Sequence, residues 1–191
     1  SLHFTLNQQE NLENKKLFTA VVAKSLYGVE LALEKGGKPN YFSRPDDQMN
    51  SLHLAAQEGL TEIVEKLVDA GAAVSAIAAP SKNTALLFAA SHGNIGVVKY
   101  LIDKKANVSV KNGYGNTSLH EAARLCPECC TLLLEAGAAV NEKNNKGSTS
   151  LHFAAYLEED EEPAADTLST NIATVLIANG ADVNAVDTRG M

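Results

Sequence analysis

Tryptophan is absent from this chain, and aromatic residues make up only 5% of it. A core without large rings must be filled by Ala, Leu, Val and Ile, which suits close helix-on-helix packing. No run of eighteen apolar residues occurs, which excludes a membrane-spanning helix. The three cysteines, Cys126, Cys129 and Cys130, are odd in number and clustered. That pattern is not a disulfide framework and fits a reducing compartment. The start, Ser1-Leu2-His3-Phe4-Thr5, has neither a Met nor the basic-then-apolar pattern of a signal peptide. The chain therefore reads as a fragment of a longer cytoplasmic protein, with an effector secreted to act inside a host cell as the other reading. A basic stripe is missing too. The formal net charge is −7, and five of the acids stand side by side at Glu158-Glu159-Asp160-Glu161-Glu162. Proteins that displace counterions from phosphates need clustered Lys and Arg, so nucleic acid is disfavoured as a partner.

What the chain does contain is repetition. Asn50-Ser51-Leu52-His53-Leu54-Ala55-Ala56 returns as Thr84-Ala85-Leu86-Leu87-Phe88-Ala89-Ala90, as Thr117-Ser118-Leu119-His120-Glu121-Ala122-Ala123 and as Thr149-Ser150-Leu151-His152-Phe153-Ala154-Ala155. A second string follows, seen as Ala70-Gly71-Ala72-Ala73-Val74, Ala136-Gly137-Ala138-Ala139-Val140-Asn141 and Asn179-Gly180-Ala181-Asp182-Val183-Asn184. Between the two lie apolar pairs at helical spacing, such as Ile63-Val64 with Leu67-Val68.

These strings resemble the ankyrin repeat family, whose unit is a β-turn plus two helices with a Thr-Pro-Leu-His-x-Ala signature. The resemblance implies an all-α repeat solenoid: a stack of antiparallel helix pairs with β-hairpin or turn tips. It divides the chain into a lead-in segment, 1–14, and a repeat domain, 15–191. The repeats fall at about 15–49, 50–83, 84–116, 117–148 and 149–187, with the start of a sixth beyond. The fifth carries an acidic insertion, 157–170, which its composition reads as a solvated loop.

Local physics supports each unit. Asn50, Thr84, Thr117 and Thr149 stand where a side-chain oxygen can cap the first helix. Gly71, Gly137 and Gly180 stand where a left-handed residue ends the second. Lys105 takes that place in the third repeat at some conformational cost.

Residues that look like chemistry have structural explanations. A zinc reading of Cys126, Cys129 and Cys130 with His120 or His152 is set aside, because Cys129 and Cys130 align with the inward-facing Ile63-Val64. The histidines belong to the signature, where the resemblance implies a clamp on the turn backbone. No catalytic residue, metal site or cofactor motif is identified. The resemblance also makes Asn141 and Asn184 candidates for asparaginyl hydroxylation by a 2-oxoglutarate-dependent enzyme, beside their family role of stabilising the hairpin.

A protein–protein interaction module follows, acting as a monomer or within a hetero-complex, with a protein as partner. The alternative is the substrate-recognition part of an enzyme whose catalytic domain lies elsewhere. The family binds through its tips and the exposed positions of the first helices. Carried onto this chain, those are Tyr41, Phe42, Met49, Gln57, Glu58, Ile77, Asn83, Ser91, His92, Tyr114, Asn116, Arg124 and Tyr156. The second tip departs from the pattern: Ala76-Ile77-Ala78-Ala79-Pro80-Ser81-Lys82-Asn83 is apolar, and Leu87 replaces the signature histidine after it. Aromatic and apolar anchors suit interface centres, which singles out Tyr41, Phe42, Ile77 and Tyr114.

Overall fold

The computed structural model describes residues 2–42, 48–155 and 163–190. Capping and small residues set its elements. Asn50 Oδ1 accepts the His53 N–H at 3.0 Å and Thr84 Oγ1 accepts that of Leu87 at 3.3 Å. Each satisfies one of the backbone donors that the first turn of the helix leaves unpaired. Beyond the second helices, Gly36, Gly71, Gly137 and Gly180 all adopt positive φ, and Lys105 takes the same conformation at φ 63°.

Ten helices result among the described residues: α1 (Leu2–Val22), α2 (Leu26–Glu34), α3 (Ser51–Gln57), α4 (Thr61–Asp69), α5 (Ala85–Ser91), α6 (Ile95–Asp103), α7 (Ser118–Ala122), α8 (Pro127–Glu135), α9 (Ser150–Ala155) and α10 (Pro163–Ala178). They stack as consecutive pairs in two layers. The odd-numbered helices pack in series from α1 to α9, and the even-numbered ones from α2 to α10. The fold is an all-α repeat solenoid. The described residues hold no extended strand, only the isolated bridges Phe42↔Asn50 and Ala78↔Asn83 at the turn tips.

The core runs between the layers. The signature leucines Leu17, Leu52, Leu86 and Leu119 are fully buried, as are the alanine pairs 55–56, 89–90 and 122–123. Ile63, Val64 and Leu67 face them from α4, and Val97, Val98 and Leu101 from α6. Cys129, Cys130 and Leu133 take those positions on α8, at 0% exposure.

Two expectations are corrected here. The cysteines are not three free thiols: Cys126 and Cys129 form a disulfide, and only Cys130 is free. Pro127 begins α8, so Cys126 and Cys129 stand one helical turn apart with their Cα atoms 5.2 Å apart, within disulfide reach. The insertion 157–170 is also not a loop throughout, because α10 begins at Pro163. Pro is favoured at a helix's first position, and Leu168 packs against the core. Tyr156, Leu157 and the acidic run 158–162 lie outside the described residues.

At the other end, α1 passes through residues 14 and 15 without a break. Its first half covers the first turn: Asn14 Oδ1 accepts the Lys38 N–H at 2.7 Å, Asn11 Oδ1 accepts the Tyr41 hydroxyl at 2.9 Å, and Glu10 pairs with Lys38.

Candidate binding surface

The turn tips form a row held by lateral hydrogen bonds. Gly113 N–H donates to the Ser81 carbonyl at 2.7 Å, Asn145 N–H to Tyr114 at 3.1 Å, and Thr188 N–H to Lys146 at 3.0 Å. Every described turn has one left-handed residue at the same register: Gln48, Lys82, Gly115, Gly147 and Gly190. Glycine adopts that conformation without strain; Gln48 and Lys82 do so at a cost. The residue before it is the apex of the turn, giving the series Ser81, Tyr114, Lys146, Arg189.

Beneath the apex row lies a network of amides. Asn112 Nδ2 reaches Asn83 Oδ1 at 3.1 Å and Glu121 Oε1 at 3.2 Å. Asn116 Nδ2 donates to Glu121 Oε1 at 2.8 Å and receives Asn144 Nδ2 on its Oδ1 at 2.8 Å. Asp187 extends it by accepting the Ser148 hydroxyl at 3.3 Å and the Arg189 guanidinium at 3.0 Å. The histidines add a clamp. Nδ1 of His120 accepts the Thr117 N–H at 3.1 Å, so its Nε2 carries the proton donated to the Ser148 carbonyl at 3.1 Å. His53 does the same between Asn50 and the Ala76 carbonyl. Burial holds the His120 pKa below the ordinary imidazole value, with the Ser148 carbonyl pulling the other way.

Against this frame the anticipated contact residues separate. Ile77 (49% exposed), Phe42 (44%) and Tyr114 (71%) project from the tips, while Tyr41 is half-buried and bonded to α1. Met49 and Asn116 are buried, at 8% and 5%, and are unavailable to a partner; this corrects both. Each is the residue immediately before a helix cap, where Asn116 is bound into the amide network. Asn83, at the same register, is half-buried and accepts from Asn112.

On the first helices, Glu58, His92 and Arg124 are exposed, with Gln57 and Ser91 half-buried. Lys24 pairs with Glu58 at 2.8 Å and holds its carboxyl below the usual range. Arg124 lies over the Phe153 ring at 4.8 Å and within 3.6 Å of Glu121. His92 Nδ1 and the Ser91 hydroxyl both bond the Phe88 carbonyl. Tyr156 lies outside the described residues. Lys82 and Lys146 also lie on the tips and are exposed, though neither is among the anticipated contact residues. Aligning the turns on their left-handed residue is the signal that brings them forward.

The two hydroxylation candidates differ. Asn141 bridges to the next pair, its Nδ2 on the Gly180 carbonyl at 2.9 Å and its Oδ1 on the Asp182 N–H at 2.7 Å. Asn40 makes the same bridge to Gly71 and Ala73. Asn184 is exposed and its backbone N–H donates to Asp182 Oδ1 at 2.9 Å.

Paired helices, capped turns and a turn-clamping histidine define a repeat scaffold. The family profile described as ankyrin repeats (3 copies) matches residues 52–144 and 112–187. The chain belongs to the ankyrin repeat family. It is 27% identical over 133 residues to human transient receptor potential cation channel subfamily A member 1, covering 69% of this chain and 12% of that protein. It is 37% identical over 92 residues to the ankyrin repeat and KH domain-containing protein mask of Drosophila melanogaster, covering 48% and 2%. Over 122 residues it is 32% identical to the putative E3 ubiquitin-protein ligase XBAT31 of Arabidopsis thaliana, covering 57% and 26%. The chain thus spans about a quarter or less of each of these relatives. Ankyrin repeats are protein–protein interaction modules.

Proposed function

We propose that this chain takes a protein partner on its turn tips and on the exposed residues of its first helices, as the recognition part of a larger scaffold, adaptor or effector. The observation that carries this reading is the combination of exposure and rigidity at the tips. Tyr114 is 71% exposed, yet its own carbonyl and both flanking glycines are tied to neighbouring turns or to Asn112. A large side chain on a fixed backbone loses little freedom when it is covered, which is what an interface anchor requires. Ile77 and Phe42 place further apolar surface on the preceding tips.

A quantitative pull-down read by mass spectrometry tests this. Wild type is compared with an Ile77→Asp/Tyr114→Ala double variant and with Tyr27→Ala, which removes a 74% exposed ring from α2 on the other layer. Proteins lost by the tip variant and retained by Tyr27→Ala are the expected result. The same set captured by all three, with circular dichroism showing intact helices, removes the tips from consideration.

A second reading rests on the likeness to the putative ubiquitin ligase: the same surface would select substrates for a catalytic domain in a longer protein. Ubiquitin transfer to the captured protein by the full-length protein, lost in the tip variant, separates it from a scaffold.

A further inference from the structure

From the second tip onward, the tips have a charge opposite to that of the molecule. Across the chain 23 acids outnumber 16 bases. In the four described tips, at 76–83, 110–116, 141–148 and 185–190, the balance reverses: Lys82, Lys111, Lys143, Lys146 and Arg189 stand against Glu142 and Asp187 alone. Both carboxylates are already engaged. Lys111 pairs with Glu142 at 2.6 Å, holding that carboxyl below its usual range, and Arg189 grips Asp187. Among the described residues no carboxylate pairs with Lys82, Lys143 or Lys146. Lys143 donates instead to the Val186 carbonyl at 3.3 Å, which fixes it along the row.

These cations alternate with the apolar side chains. From the second tip to the fourth, the exposed groups run Ile77 and Lys82, Tyr114, Lys146. We infer that this edge binds an extended acidic segment of a partner protein, its carboxylates meeting Lys82 and Lys146 and an apolar residue meeting Tyr114 between them. The inference rests on the protein-binding reading above and specifies the partner's chemistry.

The geometry sets a period. Packed helices lie roughly 8–10 Å apart, so successive tips are separated by about that distance. An extended chain rises about 3.3 Å per residue, so one tip corresponds to about three residues of the partner. An acid opposite Lys82, an apolar residue three positions on opposite Tyr114 and a second acid three beyond that opposite Lys146 match the row, over a segment of about seven residues. A phosphate backbone carries a charge at every nucleotide and is repelled by the acidic chain wherever it leaves this narrow edge, whereas a polypeptide needs carboxylates only opposite the cations.

Fluorescence anisotropy on the full 191-residue chain tests this. The probe is a labelled peptide of about twelve residues with Glu and Leu taking turns at every third position and Ser between. Controls carry Lys or Gln in place of Glu, and a single-stranded DNA of similar length is run beside them. The glutamate peptide is expected to bind, and to weaken about tenfold between roughly 50 and 300 mM NaCl. A Lys82→Glu/Lys146→Glu double variant is expected to lose about tenfold in affinity, with Lys82→Gln/Lys146→Gln intermediate. The neutral pair keeps the test valid should charge reversal disturb folding.

No binding of the glutamate peptide below about 1 mM overturns the inference. So does equal binding of the lysine peptide, tighter binding of the DNA, or indifference to both lysine pairs. These failures leave the protein-binding reading standing as long as the pull-down still depends on Ile77 and Tyr114.

Discussion

Adding one methyl group at Gly115 separates two costs that usually come together. Gly115 and Gly137 are both left-handed, at φ 77° and 89°. A Cβ at either forces an L-residue into that conformation, at about 1 kcal/mol. Their surroundings differ. At Gly137 nothing lies within 4 Å of the added atom. At Gly115 it would stand 2.4 Å from Asn145 Oδ1 and 2.7 Å from the Asn145 backbone nitrogen. The side chain can rotate away, but the backbone nitrogen moves only if the next turn moves with it. That N–H donates to the Tyr114 carbonyl at 3.1 Å, so the lateral bond goes as well. Losing it costs about 1 kcal/mol and the local overpacking about 1 more. Gly115→Ala should therefore destabilise by about 3 kcal/mol and Gly137→Ala by about 1. The difference is on the order of 4–8 °C in Tm for a chain this size. Urea titration of the two variants against wild type reads it directly. The positions belong to adjoining helix pairs, so both report on the same cooperative stretch. Equal losses, or a larger one at Gly137, would refute the claim that the tips are coupled through backbone contact.

Other expectations concern buried titratable groups. His120 is held below its ordinary pKa by burial, so its contribution to stability is complete above about pH 6.5 and is lost as pH falls below that toward the depressed folded value. The loss of wild-type stability between pH 7.5 and pH 5.5, measured by urea titration, should shrink in His120→Leu; an unchanged loss places the titration elsewhere. Burial pushes the Cys130 thiol up to about 12, and it is 0% exposed. Native protein treated with iodoacetamide at pH 8 should therefore stay unlabelled at Cys130 by mass spectrometry until urea unfolds it. Labelling at the rate of a small free thiol would show that α8 opens readily.

The repeat architecture was legible in the sequence because its determinants are local. A side-chain cap at Asn50 or Thr84, a small alanine pair and a residue that accepts positive φ each act within a few residues and recur in register. Even the strain at Lys105 could be read from its place in the repeat. The burial of Cys129 and Cys130 followed from the same alignment.

Their neighbour Cys126 shows where the alignment stopped. Its pairing with Cys129 depends on how Pro127 turns the chain into α8, a geometry that composition does not carry. The helix over 163–170 was hidden in the same way, since its residues read as loop until Leu168 is seen against the core.

The candidate surface was only half legible. Repeat register placed the tips, but whether a tip residue is free depends on the tip beside it. Asn116 looked available and is consumed by Glu121 and Asn144, two residues that only stacking brings together. Tyr114, two positions earlier, is the turn's apex, with no neighbour above it. The sequence by itself determined that the chain is a stack of capped helix pairs, because caps and periodicity are short-range. Only the tertiary structure decided which side chains face outward and what charge they share, because neighbouring turns are about thirty residues apart in the chain and meet only when it folds.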